Sequence, residues 1–259
     1  REDVEIVPLS MDAEGLEPEA LERELERTSE PPSFLYSIPT FQNPSGRTLS
    51  AERRRRIAEL VTEHELPVLE DDPYGLVRYE GESPPSLHEL VTVDLVTYTS
   101  SFSKTVAPGL RVGYFVLSAG DAAAFEARAV STYISPPFLT QATIHEFIDR
   151  GLFEPNLDRV RAELRARRDA MLDALQRFFP SDASWSRPDG GYFLWLELGD
   201  GRSTAELVAR ASQGDVAIVP GADFFPAGSP DGASSARLAF SYESPARIAE
   251  GIERLGALV

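Results

Sequence analysis

Cysteine is absent from this 259-residue chain, which excludes disulfides and thiolate metal ligands. Histidine is scarce too: His64, His88 and His145 lack the spacing of a metal motif. No apolar run is long enough for a membrane helix and no secretory leader is visible, so a cytoplasmic location is expected. Positive charge is also short. Lys and Arg number 25 against 42 Asp and Glu, a net charge of -17, which argues against nonspecific binding to nucleic acid or an anionic membrane.

The rarest basic side chain is the most informative. Of the 25 basic residues only Lys104 is a lysine, leaving 24 arginines. It lies in Ser101-Phe102-Ser103-Lys104, with Arg111 shortly after. A guanidinium stays protonated and forms no imine with an aldehyde, so an amine kept beside hydroxyls and near a cation points to amine chemistry.

With 42% hydrophobic and 26% charged residues, the chain has ample core for one large domain or two modest ones. Arg1 to Leu9 reads as a strand entered at once, with no initiating methionine, as if the chain were cut from a longer one. Leu21 and Leu25 mark a helix over residues 18–29, and Phe34 to Ile38 alternates as a strand. A turn through Asn43-Pro44-Ser45-Gly46 leads to Ser50, the expected N-cap of a helix with Ile57, Leu60 and Val61 inward. The arginine run Arg53 to Arg56 lies in that helix among acids and reads as a solvated face.

Strands are expected at Leu66 to Leu69, Asp94 to Thr99 and Val112 to Leu117, and helices at Asp121 to Val130 and Gln141 to Ile148. Strands separated by helices imply an α/β sheet, whose strand ends form the ligand crevice. Asp71 and Lys104 both sit at such ends. Asn156 to Phe179 has the length of a bridging helix. Beyond it, strands at 191–196, 216–219 and 237–240 and helices from Thr204 and near Pro245 suggest a smaller α+β domain. The expected division is residues 1–154 and 155–259. Trp185 and Trp195 read as packing residues, and Gly190-Gly191 as a tight turn.

Four ordered runs carry a resemblance: Phe41-Gln42-Asn43-Pro44-Ser45-Gly46, Glu70-Asp71-Asp72-Pro73-Tyr74, Ser101-Phe102-Ser103-Lys104-Thr105 followed by Pro108-Gly109-Leu110-Arg111-Val112-Gly113, and Pro188-Asp189-Gly190-Gly191-Tyr192-Phe193. With Arg237-Leu238-Ala239-Phe240-Ser241, they resemble the class I/II aminotransferases, pyridoxal 5'-phosphate enzymes of fold type I, most closely the 2-aminoadipate and kynurenine branch. The likeness covers nearly the whole chain. It implies a partial large domain with a mostly parallel sheet plus a smaller C-terminal α+β domain. The family's N-terminal part, which carries part of the phosphate cup and a ring-stacking aromatic, has no counterpart here.

The resemblance also implies roles. Lys104 would hold the cofactor covalently and shuttle the substrate α-proton, which requires a lowered pKa. Asp71 would pair with the pyridine nitrogen; family spacing to Tyr74 selects it over Asp72. Asn43 and Tyr74 would hydrogen-bond the 3′-oxygen, with Asn43 also beside the substrate. Ser101, Ser103 and Arg111 would bind phosphate, and Arg237 would clamp the substrate carboxylate. The implied reaction is ping-pong amino transfer from an L-amino acid to a 2-oxo acid, with 2-oxoglutarate the expected acceptor, in a homodimer. Two alternatives share the resemblance. One is the aminotransferase-like effector domain of a transcription regulator, against which Asp72-Pro73-Tyr74-Gly75 speaks. The other is a decarboxylating or carbon–carbon bond-forming relative.

Overall fold

Pro8 has no N–H to give a strand ladder, and over residues 5–9 the expected opening strand does not form. The computed structural model describes residues 5–27, 32–199 and 201–259; residues 5–10 are irregular and mostly exposed, and residues 1–4 of the expected strand lie outside the described set. In its place β1 (Met11–Asp12) and β2 (Gly15–Leu16) make a short antiparallel hairpin. Helix α1 (Pro18–Arg27) follows and buries Leu21 and Leu25; positions 28 and 29 of the expected helix are outside the described residues.

The next elements build the larger sheet. They are β3 (Leu35–Ser37), α2 (Ala51–Glu63), β4 (Val68–Asp71), α3 (Leu87–Leu90), β5 (Val96–Ser101) and β6 (Gly113–Val116). Ser50 caps α2, its hydroxyl accepting from the Arg53 N–H at 3.4 Å, and α2 lays Ile57, Leu60 and Val61 into the core. The strand order is β3-β4-β5-β6; the first three are parallel and β6 runs antiparallel to β5. The sheet packs on a core of Leu21, Leu35, Leu60, Val68, Leu87 and Val96. Helices α4 (Ala119–Thr132) and α5 (Phe138–Asp149) follow, each longer than its sequence signal.

Helix α6 (Phe153–Phe178) runs 26 residues, about 39 Å at 1.5 Å per residue. It leads to β7 (Ser184–Trp185), β8 (Phe193–Glu197), α7 (Thr204–Gln213), β9 (Val219–Pro220), β10 (Ser235–Ala239) and α8 (Pro245–Gly256). This second sheet is antiparallel throughout, in the order β7-β8-β10-β9. The architecture is therefore an α/β mixed sheet joined to a smaller α+β unit, as the sequence led one to expect. Leu164, Met171, Leu172 and Leu175 of α6 share a core with Leu194, Leu238, Ile252 and Leu255. Phe41, Tyr74 and Val77 enter that same core from the first half of the chain. Among the described residues no helix is long and apolar enough to cross a membrane.

The arginine run is not uniformly solvated. Arg53 pairs with Asp12 at 2.6 Å, but Arg54 is only 1% exposed. Its guanidinium donates to the carbonyls of Leu49 and Pro39, both at 2.9 Å, of Pro85 at 3.2 Å, and to the Thr40 hydroxyl at 2.8 Å. The reason is periodicity: Arg54 and Ile57, three residues apart, share the inward face of α2, so one member of a charged run must go inside.

Candidate active site

Parallel pairing sets Asp71, at the end of β4, against Thr99, two residues before β5 ends at Ser101. Asp71 and the lysine loop thereby share the carboxyl edge of the sheet, where open α/β sheets form their crevice. Asp71 Oδ2 accepts from the Tyr36 hydroxyl at 2.7 Å, a partner the sequence reading did not assign. Burial and that carboxylate push the Tyr36 phenol up. Asp72 turns the other way. Its Oδ1 accepts from the Gly75 N–H at 2.8 Å and its Oδ2 from the Tyr98 hydroxyl at 3.1 Å, while desolvation raises its carboxyl. One Asp72 oxygen thus serves the local turn and the other ties it to β5.

The lysine loop returns through a 3-10 turn, Pro108–Leu110, into Arg111, which holds a left-handed backbone at φ 54°. A non-glycine residue there costs of order 1–3 kcal/mol, a type of strain that clusters at functional sites. The conformation brings Arg111 Nη1 to the Ser103 hydroxyl at 3.4 Å and the Pro108 carbonyl at 3.2 Å. Ser101 Oγ accepts from the Ser103 N–H at 2.9 Å and donates to the Val112 carbonyl at 3.3 Å, so its hydroxyl is engaged within the loop. The Ser103 hydroxyl and one fixed guanidinium, joined by the Ser101 hydroxyl once it turns from the Val112 carbonyl, make a donor set that suits a phosphate group.

Lys104 Nζ lies 5.8 Å from the Tyr74 ring centre and 5.2 Å from that of Tyr192. Partial burial, then the charges of Arg111 and Arg237, hold its pKa below the ordinary lysine value. A primary amine poised toward its neutral form beside a phosphate-suited loop fits a phosphorylated aldehyde such as pyridoxal phosphate. The chemistry that the resemblance implies requires this lowering; the effect of Arg237 on the amine was not foreseen.

Opposite the loop, β8 and β10 bring in the smaller sheet. Arg237 of β10 donates from Nη1 to Asn43 Oδ1 at 2.8 Å, joining residues 194 apart in sequence. Its guanidinium carbon lies over the rings of Phe193, at 4.4 Å, and Phe224, at 5.0 Å. Tyr74 is buried against Tyr192 and Phe193, with ring centres 5.7 and 5.9 Å away. Burial pushes its hydroxyl pKa up, Arg237 opposes this, and Asp71 adds to it.

Hydrogen bonds join Asn43 to Arg237 and Arg111 through Ser103 to Ser101, and charge interactions couple Arg237 with Tyr74 and Lys104, Tyr74 with Asp71, and Lys104 with Arg111, so all eight singled-out residues share one neighbourhood. Besides Tyr36, three more residues belong to the cluster. Tyr192, whose hydroxyl donates to the Lys104 carbonyl at 2.8 Å, and Phe193 lay inside a quoted motif but carried no assigned role. Phe224 had no local signal. The turn before Tyr192 is fixed by contact: Gly191 holds φ +73° and a Cβ there would meet Phe41 Cβ at 2.6 Å.

The family described as aminotransferase class I and II matches residues 3–255 of this chain. The 2-aminoadipate transaminase of Thermus thermophilus is 39% identical over 246 residues, which is 94% of this chain and 61% of the relative. The crystal structure of the Pyrococcus horikoshii kynurenine aminotransferase matches with a TM-score of 0.92 at 36% identity, over 97% of this chain and 63% of that one. An HTH-type transcriptional regulator of Bacillus subtilis is 32% identical over 225 residues, covering 85% of this chain and 45% of the regulator. The chain thus spans less than two thirds of the length of each.

Proposed function

Because the chain belongs to the class I and II aminotransferase family, we propose that the whole protein is a pyridoxal-phosphate-dependent aminotransferase moving an amino group from an L-amino acid to a 2-oxo acid. The observation that carries this reading is the only lysine, lowered in pKa by burial and two arginines and set beside the Tyr74 and Tyr192 rings at the sheet's carboxyl edge. The Pyrococcus kynurenine aminotransferase was solved with PMP, which supports the same cofactor class.

When bound, pyridoxal phosphate supplies an aldehyde for amine exchange and a ring that accepts electron density from the substrate α-carbon. Ser101, Ser103 and Arg111 would hold its phosphate, Asp71 its ring nitrogen, and Asn43 and Tyr74 its 3′-oxygen. Lys104 would anchor it, and its free amine would shuttle the substrate α-proton; a lowered pKa suits both taking it up and giving it back. Arg237, held by Asn43, would fix the substrate carboxylate, with Asn43 alongside. The ping-pong cycle would close on 2-oxoglutarate. A cytoplasmic homodimer, with a large domain over 1–154 and a small one over 155–259, completes the proposal.

Reductive trapping tests it. Borohydride reduction after incubation with pyridoxal phosphate should leave one adduct, on Lys104, absent from Lys104→Ala, and the full-length protein should transaminate a panel of L-amino acids. No adduct on the full-length protein would refute the reading. The Bacillus regulator match favours a second reading, an effector domain that binds the cofactor without turnover. An adduct on Lys104 with no transamination of any donor, and specific DNA binding by the full-length protein, would select it.

A further inference from the structure

The carboxylate reading of Arg237 leaves open what holds its guanidinium. The side chain stands on β10 directly across from Trp195 on β8, and Phe193, two residues along β8, lies diagonal to it on the same face. Phe224 comes from a 3-10 turn, Gly221–Phe224, that follows β9. That turn is packed so closely that a Cβ at Gly221 would meet the Gly232 carbonyl oxygen at 2.6 Å and the Ser235 carbonyl oxygen at 2.7 Å. Trp195 supports Phe224 edge-on, with ring centres 5.8 Å apart at 78°. Phe193 meets Tyr74 edge-on at 5.9 Å and 82°. Each ring under the guanidinium is thus itself held by another aromatic.

Among the described residues the Arg237 guanidinium has one polar partner, Asn43, and its Nε is buried without any. One hydrogen bond leaves a guanidinium free to rock about that contact. Two ring faces restrict the remaining freedom, exclude water, and leave hydrogen-bonding capacity for an incoming anion, because a π face attracts the cation without occupying all its donors.

We infer that Phe193 and Phe224 are positioning residues that set the Arg237 guanidinium for a ligand carboxylate, an inference that rests on the proposed carboxylate role of Arg237. A prepared fork loses less freedom on binding, so the effect falls on ligand affinity and leaves the chemical step intact.

The test uses the cofactor-loaded full-length protein, with the best L-amino acid donor, its α-carboxamide, and the unreactive dicarboxylate glutarate. Phe224→Leu should raise KM for the acid about tenfold with kcat within about twofold, leave KM for the amide unchanged, and weaken glutarate about tenfold by calorimetry. Phe224→Tyr should restore the original values. Phe224 is only half-buried, and Phe193→Leu offers a second variant should Phe224→Leu unfold. Equal changes for acid and amide, or no change in glutarate binding, would overturn the inference. Arg237→Met separates the two levels: if it leaves both the acid-over-amide preference and glutarate affinity intact, the carboxylate role itself is wrong and the inference falls with it.

Discussion

Replacing Arg54 by methionine should destabilise the protein by about 3 kcal/mol or more at neutral pH, although Arg54 belongs to a run that reads as surface. Methionine keeps much of the stem volume and removes the guanidinium. That takes the donor from the Leu49 and Pro85 carbonyls and the Thr40 hydroxyl, leaves the Pro39 carbonyl with only the Leu49 N–H, and removes the cation 3.9 Å from Glu70, itself 1% exposed. Breaking one side of a buried ion pair costs about 3–5 kcal/mol, and the long separation here favours the lower end. Glu70 also accepts from the Leu87 and His88 N–H groups at 3.1 and 2.9 Å, so its carboxylate has backbone partners that soften the loss. Desolvation pushes the Glu70 carboxyl up while those N–H groups and Arg54 oppose it. A carboxyl raised in the folded state contributes stability below its unfolded pKa, and that contribution is lost as pH rises through the folded value. Removing Arg54 raises the folded value further, so the deficit should be fullest near pH 7 and narrow as pH falls toward the ordinary glutamate range. Urea unfolding of both proteins at several pH values measures this. Adding Glu70→Gln to Arg54→Met should recover about 1–3 kcal/mol at pH 7. A deficit under about 1 kcal/mol, or one that widens toward acid, would refute the reasoning.

The lowered Lys104 pKa predicts that reductive methylation, followed by mass spectrometry, will modify the only lysine at a lower pH than a free lysine requires, and that Arg111→Met will move this profile upward; coincident profiles would show that Arg111 has no electrostatic hold on the amine. Tyr36→Phe removes the hydroxyl donor to Asp71 and should weaken retention of pyridoxal phosphate about tenfold, since hydrogen bonds to charged groups contribute about 1.5–3 kcal/mol; dialysis followed by absorbance would detect it. Gly191→Ala forces a side chain into a left-handed backbone against Phe41 and should lower stability by about 2 kcal/mol or more in urea, whereas an unchanged midpoint would mean the turn can move away.

What was legible in the sequence divides by the range of the interaction that decides it. Lys104 stands out by residue type, because no other side chain in the chain is a primary amine. The α/β character follows from short strands separated by helices, and Asp71 lands at the crevice because β4 ends there, whereas the strand order came only with the structure. Asn43 and Arg237 were chosen by resemblance; their bond across 194 positions leaves no mark on either neighbourhood. Arg54 was misjudged because charge patterning weighs a run as a whole, whereas helical periodicity sends one member inward. The same reason hid Phe224: an aromatic in a proline- and glycine-bounded loop looks like ordinary packing until β10 places a guanidinium over it. A residue that reacts is thus visible by its own chemistry, and one that holds it becomes visible only once the strands are paired and the two sheets meet. It follows that Tyr36, Tyr192, Phe193 and Phe224, which sequence did not assign, are where substitutions should tune this site without removing a reacting group.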